Sequence, residues 1–290
     1  MQESSTQTPP PGTEPDGLVL RPLISTADYD EAVALQDDIW GAGFSDRVPA
    51  SILRVAQKVG GVSAGAFDSR GRMIGFVFGL TGVRDGTLVH WSDMLAVREE
   101  ARGMRLGERL KHYQRDIVRA MGVEKMFWTF DPLVARNAHF NLNRLGASIA
   151  EYLPNFYGSN TGSILHGALP TDRFVAEWVI RATTPDSKAK SPGAPGTRAP
   201  ADVPVATTVH GDEIRNVTPF PDAPLVLVPI PSDVESVLLS HPDQALAWRL
   251  VTRAAVTHYL ARGYRVTGFR RNDRGLPAYE LSSSPSTNHA

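Results

Sequence analysis

Apolar and polar positions alternate over Leu18–Leu23, a period of two that predicts a β-strand. The following run, TADYDEAVALQDDIW, places Tyr29, Ala32, Val33, Leu35 and Ile39 near helical spacing, with Thr26 as the expected N-cap. Val48–Val59 reads as a second helix. Val62–Phe67 and Met73–Leu80 read as strands joined by the turn Asp68-Ser69-Arg70-Gly71. A further strand covers Thr87–Val97, an amphipathic helix Leu106–Met121, a strand Lys125–Phe130, a helix Ala135–Leu145, and strands follow. Strand, two helices, three strands, helix, strand, helix, strand describes an α/β domain with a mixed sheet.

Two stretches break this periodicity. Residues 1–16 are rich in Pro, Ser, Thr and Gly and read as a disordered tail, and residues 183–204 read as a Pro-rich linker. They leave a main body over 17–182, a smaller α/β unit over 205–283 and a short tail over 284–290. The smaller unit carries a strand at Leu225–Pro229, a helix from Asp233, a longer helix over Gln244–Arg262, and closing strands at Tyr264–Arg270 and Pro277–Leu281.

Composition narrows the chemistry. A formal charge of −1 argues against a general nucleic-acid binder. No apolar run approaches the roughly 20 residues that span a bilayer, and the N-terminus lacks the basic and apolar regions of a signal peptide, so a cytoplasmic location is expected. The chain has no cysteine, which excludes disulfides, thiolate metal sites and a cysteine acyl-enzyme. No metal is expected. A homodimer is the commonest expectation for assembly.

The segment from Asp93 to Gly122 is the most informative. A strand ends at Val97, a polar turn follows, and a helix begins within Arg102–Gly107. A strand, a glycine-containing turn and a helix bring free backbone N–H groups and the positive helix end to one point, which suits a pyrophosphate. Gly103 and Gly107 let a phosphate approach the backbone, and Arg98, Arg102, Arg105, Arg109 and Lys111 supply positive charge. Neither a GxxxxGK[ST] loop nor a GxGxxG with its acidic partner occurs.

LAVREEARGMRLGERL resembles motif A of the GNAT acyltransferases, a strand followed by R/Q-x-x-G-x-G/A and a helix. Arg102 and Gly107 match, while Arg105 stands at the usual central glycine. WTFDPLVARNAHFNLNRLGA resembles motif B of the same superfamily. With YLPNFYG, DRFVAEWVI and the C-terminal AWRLVTRAAVTHYLARGYRVTGF, it resembles a subgroup that includes amino-acid N-succinyltransferases. The resemblance implies a GNAT-like mixed, mainly antiparallel sheet flanked by helices. It also implies acyl transfer from acetyl-CoA or succinyl-CoA to a primary amine of a small molecule such as an amino acid.

By the same resemblance, the strands ending at Val97 and Phe130 splay apart, and pantetheine pairs with backbone groups of Leu95, Ala96 and Val97. Arg102, Gly103, Met104, Arg105, Leu106 and Gly107 form the pyrophosphate turn, and Asn137 contacts CoA. Asp93 is the candidate base and His90 reads as structural; the two fall on opposite faces of a regular strand. The usual tyrosine acid falls at Leu142, which leaves Tyr157 or Tyr152 as proton donor. Asp131 reads as a turn cap, Asn141 as solvent-facing, and Arg249 and Arg253 as a solvated face. The alternative is a catalytically silent CoA-binding or regulatory module, which the residues at 105 and 142 favour.

Overall fold

The computed structural model describes residues 12–13, 17–158, 161–163, 167, 169–180, 203–210, 213–272 and 275–283. They form two compact units. One holds the described residues up to Trp128 with 161–163 and 179–180; the other holds the remainder. The expected tail, linker and C-terminal tail fall outside the described residues, except for 12–13 and 203–204.

The first unit is built on five strands and the first four residues of a sixth, in spatial order β1-β2-β3-β4-β5-β6. These are β1 (Gly12–Thr13), β2 (Val19–Pro22), β3 (Val62–Phe67), β4 (Met73–Arg84), β5 (Thr87–Val97) and β6 (Lys125–Phe130). All neighbours pair antiparallel except β5 and β6, which are parallel. This is a mixed, mainly antiparallel sheet flanked by helices. Gly12–Thr13, inside the expected tail, pairs with Val19–Leu20 and so belongs to the sheet.

Helices α1 (Thr26–Trp40) and α2 (Ala50–Lys58) pack on one face. Leu35 and Leu53 meet Phe76 and Phe78 of β4 and Met94 and Ala96 of β5 in a single apolar cluster. Helix α3 (Leu106–Ala120) covers the opposite face, where Leu106 and Leu110 close over Gly75. The cap of α1 is Ser25 rather than Thr26: its hydroxyl accepts from the Asp28 N–H, and the Asp28 carboxylate reaches back to the Ser25 N–H. Arg21 forks onto the same carboxylate at 2.7 and 2.9 Å, which holds Asp28 well below the usual carboxylate range.

The second unit starts with α4 (Ala135–Ala138), which runs on as a π-helical turn over His139–Arg144. The helix expected over Ala135–Leu145 therefore widens halfway, the irregularity often seen near functional sites. An antiparallel pair, β7 (Ser148–Leu153) and β8 (Arg173–Val179), follows, then the hairpin β9 (Thr207–His210) and β10 (Glu213–Asn216). The three-stranded sheet orders β11 (Leu225–Pro229), β13 (Pro277–Ser283) and β12 (Tyr264–Arg271). Helices α5 (Val234–Ser240) and α6 (Pro242–Ala261) complete this unit. None of the described helices is long and apolar enough to cross a membrane.

Candidate functional site

Strand β5 carries the site of the first unit. Its pairing with β6 covers only Val89, His90 and Trp91, opposite Lys125, Met126 and Phe127. From Ser92 to Val97, β5 has β4 on one edge and, among the described residues, no strand pairing on the other. The backbone of Leu95, Ala96 and Val97 thus presents an open edge of the kind an extended ligand completes by adding hydrogen bonds.

A β-bulge interrupts the same strand. The three-residue step from Trp91 to Met94 faces the two-residue step from Leu80 to Phe78, so Ser92 and Asp93 together oppose Gly79. A side chain at 79 has no room: its Cβ would lie 2.6 Å from the Trp91 carbonyl and closer still to the His90 ring. The buried stripe changes layers at this point. Ser92 packs against α3, whereas Met94 and Ala96 join the cluster under α1 and α2. Regular alternation therefore does not relate His90 to Asp93; burial separates them. His90 is sealed in the core and Asp93 is exposed.

Asp93 sits in a crowded position despite being open to water. Desolvation raises its pKa above the ordinary 3.8, the Trp91 side chain opposes this by hydrogen bonding, and the Asp46 carboxylate adds to the rise. Thr81 donates its hydroxyl proton to the Gly60 carbonyl at 2.6 Å, so the His90 Nδ1, 2.9 Å from the Thr81 oxygen, carries the hydrogen of that contact. Burial, with a smaller contribution from Lys111, lowers His90 to about 3 and keeps it neutral. His90 is structural.

Beyond Val97 a short 3₁₀ turn (Glu99–Ala101) leads into α3. Gly103 has φ 88° and Arg105 has φ 56°, the left-handed region, with Arg105 at the N-cap of α3 and no side-chain cap. Glycine adopts such a backbone freely, whereas a left-handed residue with a Cβ, as Arg105 is, is strained by about 1–2 kcal/mol. Among the described residues, the N–H groups of Gly103, Arg105, Leu106 and Gly107 donate to no protein acceptor. They lie at or just before the positive end of a 15-residue helix. A Cβ at Gly107 would meet nothing nearer than Leu95 Cδ2 at 3.7 Å, so the space in front of this turn is open.

The surrounding charges are only partly as expected. Arg98 is bound to Asp38 at 2.6 Å, Arg102 to Glu99 at 3.2 Å and Arg105 to Glu108 at 3.1 Å. The last two guanidinium groups are largely exposed, and such pairs are weak enough to exchange for a phosphate. Lys111 is a correction. It is 2% exposed and lies under the sheet, not at the helix mouth, with Nζ donating to Ser92 Oγ at 2.7 Å over the ring of Trp128. Met104 is exposed, whereas Leu106 is buried and enters the turn through its backbone alone.

The remaining candidates belong to the second unit. Tyr157 is 36% exposed and its hydroxyl lies 2.9 Å from Thr129 Oγ1. Tyr152 is committed elsewhere, its hydroxyl bonded to the buried Asp172, with burial the larger cause of a strongly raised pKa. Of the two tyrosines, only Tyr157 offers a hydroxyl near solvent. Asn137 is half-buried in the first turn of α4, whose N-cap is Val134, so it is no cap. Asn141, expected in solvent, is 3% exposed, and Leu142 is buried beside it.

Asp131 caps its turn through the Leu133 N–H at 2.8 Å, but it also binds Arg249 at 2.5 Å and lies 3.6 Å from Arg173. Arg253 forks onto Asp172 at 2.6 and 2.9 Å. Arg249 is 2% exposed, so the expected solvated face is in part an internal ion-pair network. Sequence spacing carried no signal for it, because its partners lie 81 and 118 residues away. Among the described residues, no group of three or more His, Asp or Glu could hold a metal ion.

No family model matches the chain, and no curated protein matches it. Solved structures similar to it include the ribosomal-protein-S18-alanine N-acetyltransferase from Escherichia coli, with TM-score 0.45 and 16% identity over 58% of this chain and 97% of that one. An aminoglycoside 6'-acetyltransferase type Ii gives 0.45 and 17% over 57% and 99%. Ard1 from Thermoplasma volcanium gives 0.44 and 15% over 57% and 99%. At identities this low and superpositions this loose, the likeness carries no functional argument, which is built instead on the geometry of β5 and α3.

Proposed function

We propose that the chain is a GNAT-type N-acyltransferase that moves an acyl group from coenzyme A to a primary amine by direct attack in a ternary complex. One observation carries the reading: the open edge of β5 over Leu95–Val97 leads, through the Glu99–Ala101 turn, to a helix N-terminus where four amides have no protein acceptor among the described residues. An extended pantetheine arm suits the first feature and a diphosphate the second. The motif resemblance at Arg102–Gly107 supports the same ligand. Backbone N–H groups of β5 would polarise the thioester carbonyl, and most of the acceleration would come from positioning.

Asp93 takes the amine proton in this scheme, directly or through one water. Its raised pKa makes it a better base near neutrality than an ordinary aspartate. Tyr157 is the candidate donor to the departing thiolate, and Asn137 a candidate CoA contact. Acetyl-CoA and succinyl-CoA are the donors to compare, with amino acids first among small-molecule acceptors. A cytoplasmic homodimer, and the division into an acyl-CoA-binding body over 17–182 and a C-terminal unit over 205–283, belong to the same proposal.

The buried Leu142, where the usual acid is missing, favours a second reading in which the chain binds CoA without turning it over. Thiol release from acetyl- and succinyl-CoA with mixed amines separates the two. The enzyme reading expects release that Asp93→Asn reduces at least about a hundredfold, the lower end of the usual scale for a general base, with CoA binding kept. Binding without release from the wild-type chain assigns the silent module instead, and full activity in Asp93→Asn removes that residue from the mechanism.

A further inference from the structure

Beneath the β5 bulge lies a polar cluster that the proposed chemistry does not use. Lys111 of α3 is buried and, among the described residues, pairs with no carboxylate; its Nζ donates to Ser92 Oγ at 2.7 Å and stands 3.9 Å from the centre of the Trp128 ring. Ser92 is 3% exposed and shares the bulge with Asp93. The other polar neighbours are neutral: His90, protonated on Nδ1 alone, and Gln114, both 0% exposed. An amine in such surroundings is disfavoured as a cation, and burial lowers the Lys111 pKa well below the ordinary 10.5. The amine bonds one hydroxyl, and that hydroxyl belongs to the bulge of β5.

The geometry points to Lys111 as a positioning residue: through Ser92 it pins the bulge and thereby holds Asp93 in its crowded place on β5. The inference rests on the reading of Asp93 as a base, but its test does not need turnover. Asp93 is influenced by desolvation, the Trp91 side chain and Asp46, and Lys111 is not among the charges acting on it. Loosening the bulge moves Asp93 away from the groups that crowd its carboxylate and lowers its pKa, whereas removing a nearby positive charge would raise it.

The experiment is a carboxylate-carbon NMR titration of Asp93 in the full chain, in wild type, Lys111→Met, Ser92→Ala and the double variant. Lys111→Met keeps the buried stem and deletes the amine. The expected result is a midpoint lowered by about half a pH unit or more in each single variant, with no further shift in the double, because both act through one contact. An unchanged midpoint overturns the inference. So does a raised one, which would make Lys111 a cation acting through space. Should Lys111→Met fail to fold, Ser92→Ala decides alone by the same signs. Absence of thiol release from the wild-type chain would refute the acyl-transfer reading while leaving these shifts to stand or fall by themselves.

Discussion

Replacing Arg105 with glycine separates what the backbone of the α3 turn does from what its side chain does. Arg105 holds φ 56° at the N-cap, with its guanidinium 3.1 Å from Glu108 and largely in solvent. Glycine relieves about 1 kcal/mol of left-handed strain. Against this, glycine raises the entropy of the unfolded chain by about 0.5–1 kcal/mol, and the exposed ion pair is lost at about 0.3 kcal/mol. The contributions nearly cancel, so thermal denaturation should shift by no more than about 3 °C for a chain of this size. Arg105→Val puts a β-branched residue into the same conformation and should lower stability by about 1–2 kcal/mol.

Calorimetric titration with coenzyme A completes the assay. The guanidinium is turned toward Glu108 and leaves the amides of Gly103, Leu106 and Gly107 open, so Arg105→Gly should weaken binding by less than about tenfold, the loss of one exposed contact. Tightening by tenfold or more would refute this reasoning, because it would mean that the side chain had been filling the cradle. A fall in midpoint beyond about 5 °C would refute the strain argument.

Gly107→Trp should fold, since a Cβ there touches only Leu95 and Val97 at 3.7 and 4.0 Å, and should lose the CoA-induced thermal shift. An intact shift would remove the diphosphate from this turn. His90 makes stability fall with acid: the unfolded chain takes up its proton near pH 6.5, while the folded chain resists until about 3. Below pH 6.5 this group costs about 1.4 kcal/mol of stability per pH unit, and His90→Gln should flatten the urea-midpoint profile between pH 6.5 and 4.5. A variant with the same acid slope as wild type would contradict the burial argument.

The order of elements in the first unit was legible because strands and helices there keep clean periods: Leu106, Leu110, Gln114 and Val118 mark the buried stripe of α3. Lys111 sits beside that stripe, and a helical projection placing it next to Leu110 and Gln114 was the available signal for its burial. The β5 bulge left no trace, since residues 90, 92, 94 and 96 are buried as in a regular strand and only the register with β4 exposes the extra residue. The turn at Arg102–Gly107 was visible from its glycines, yet the left-handed backbone of Arg105 is a property of the fold. The Asp131–Arg249 and Asp172–Arg253 pairs join distant segments, and local spacing is silent about those.

Amide NMR during titration with coenzyme A tests the central claim most directly, read at Gly103, Arg105, Leu106 and Gly107. Four donors without protein acceptors among the described residues, on receiving a diphosphate, should move downfield together and show the largest changes in the first unit, and pyrophosphate alone should move the same four. Resonances that stay in place while coenzyme A binds elsewhere, or does not bind at all, would contradict the assignment of this turn as the diphosphate cradle.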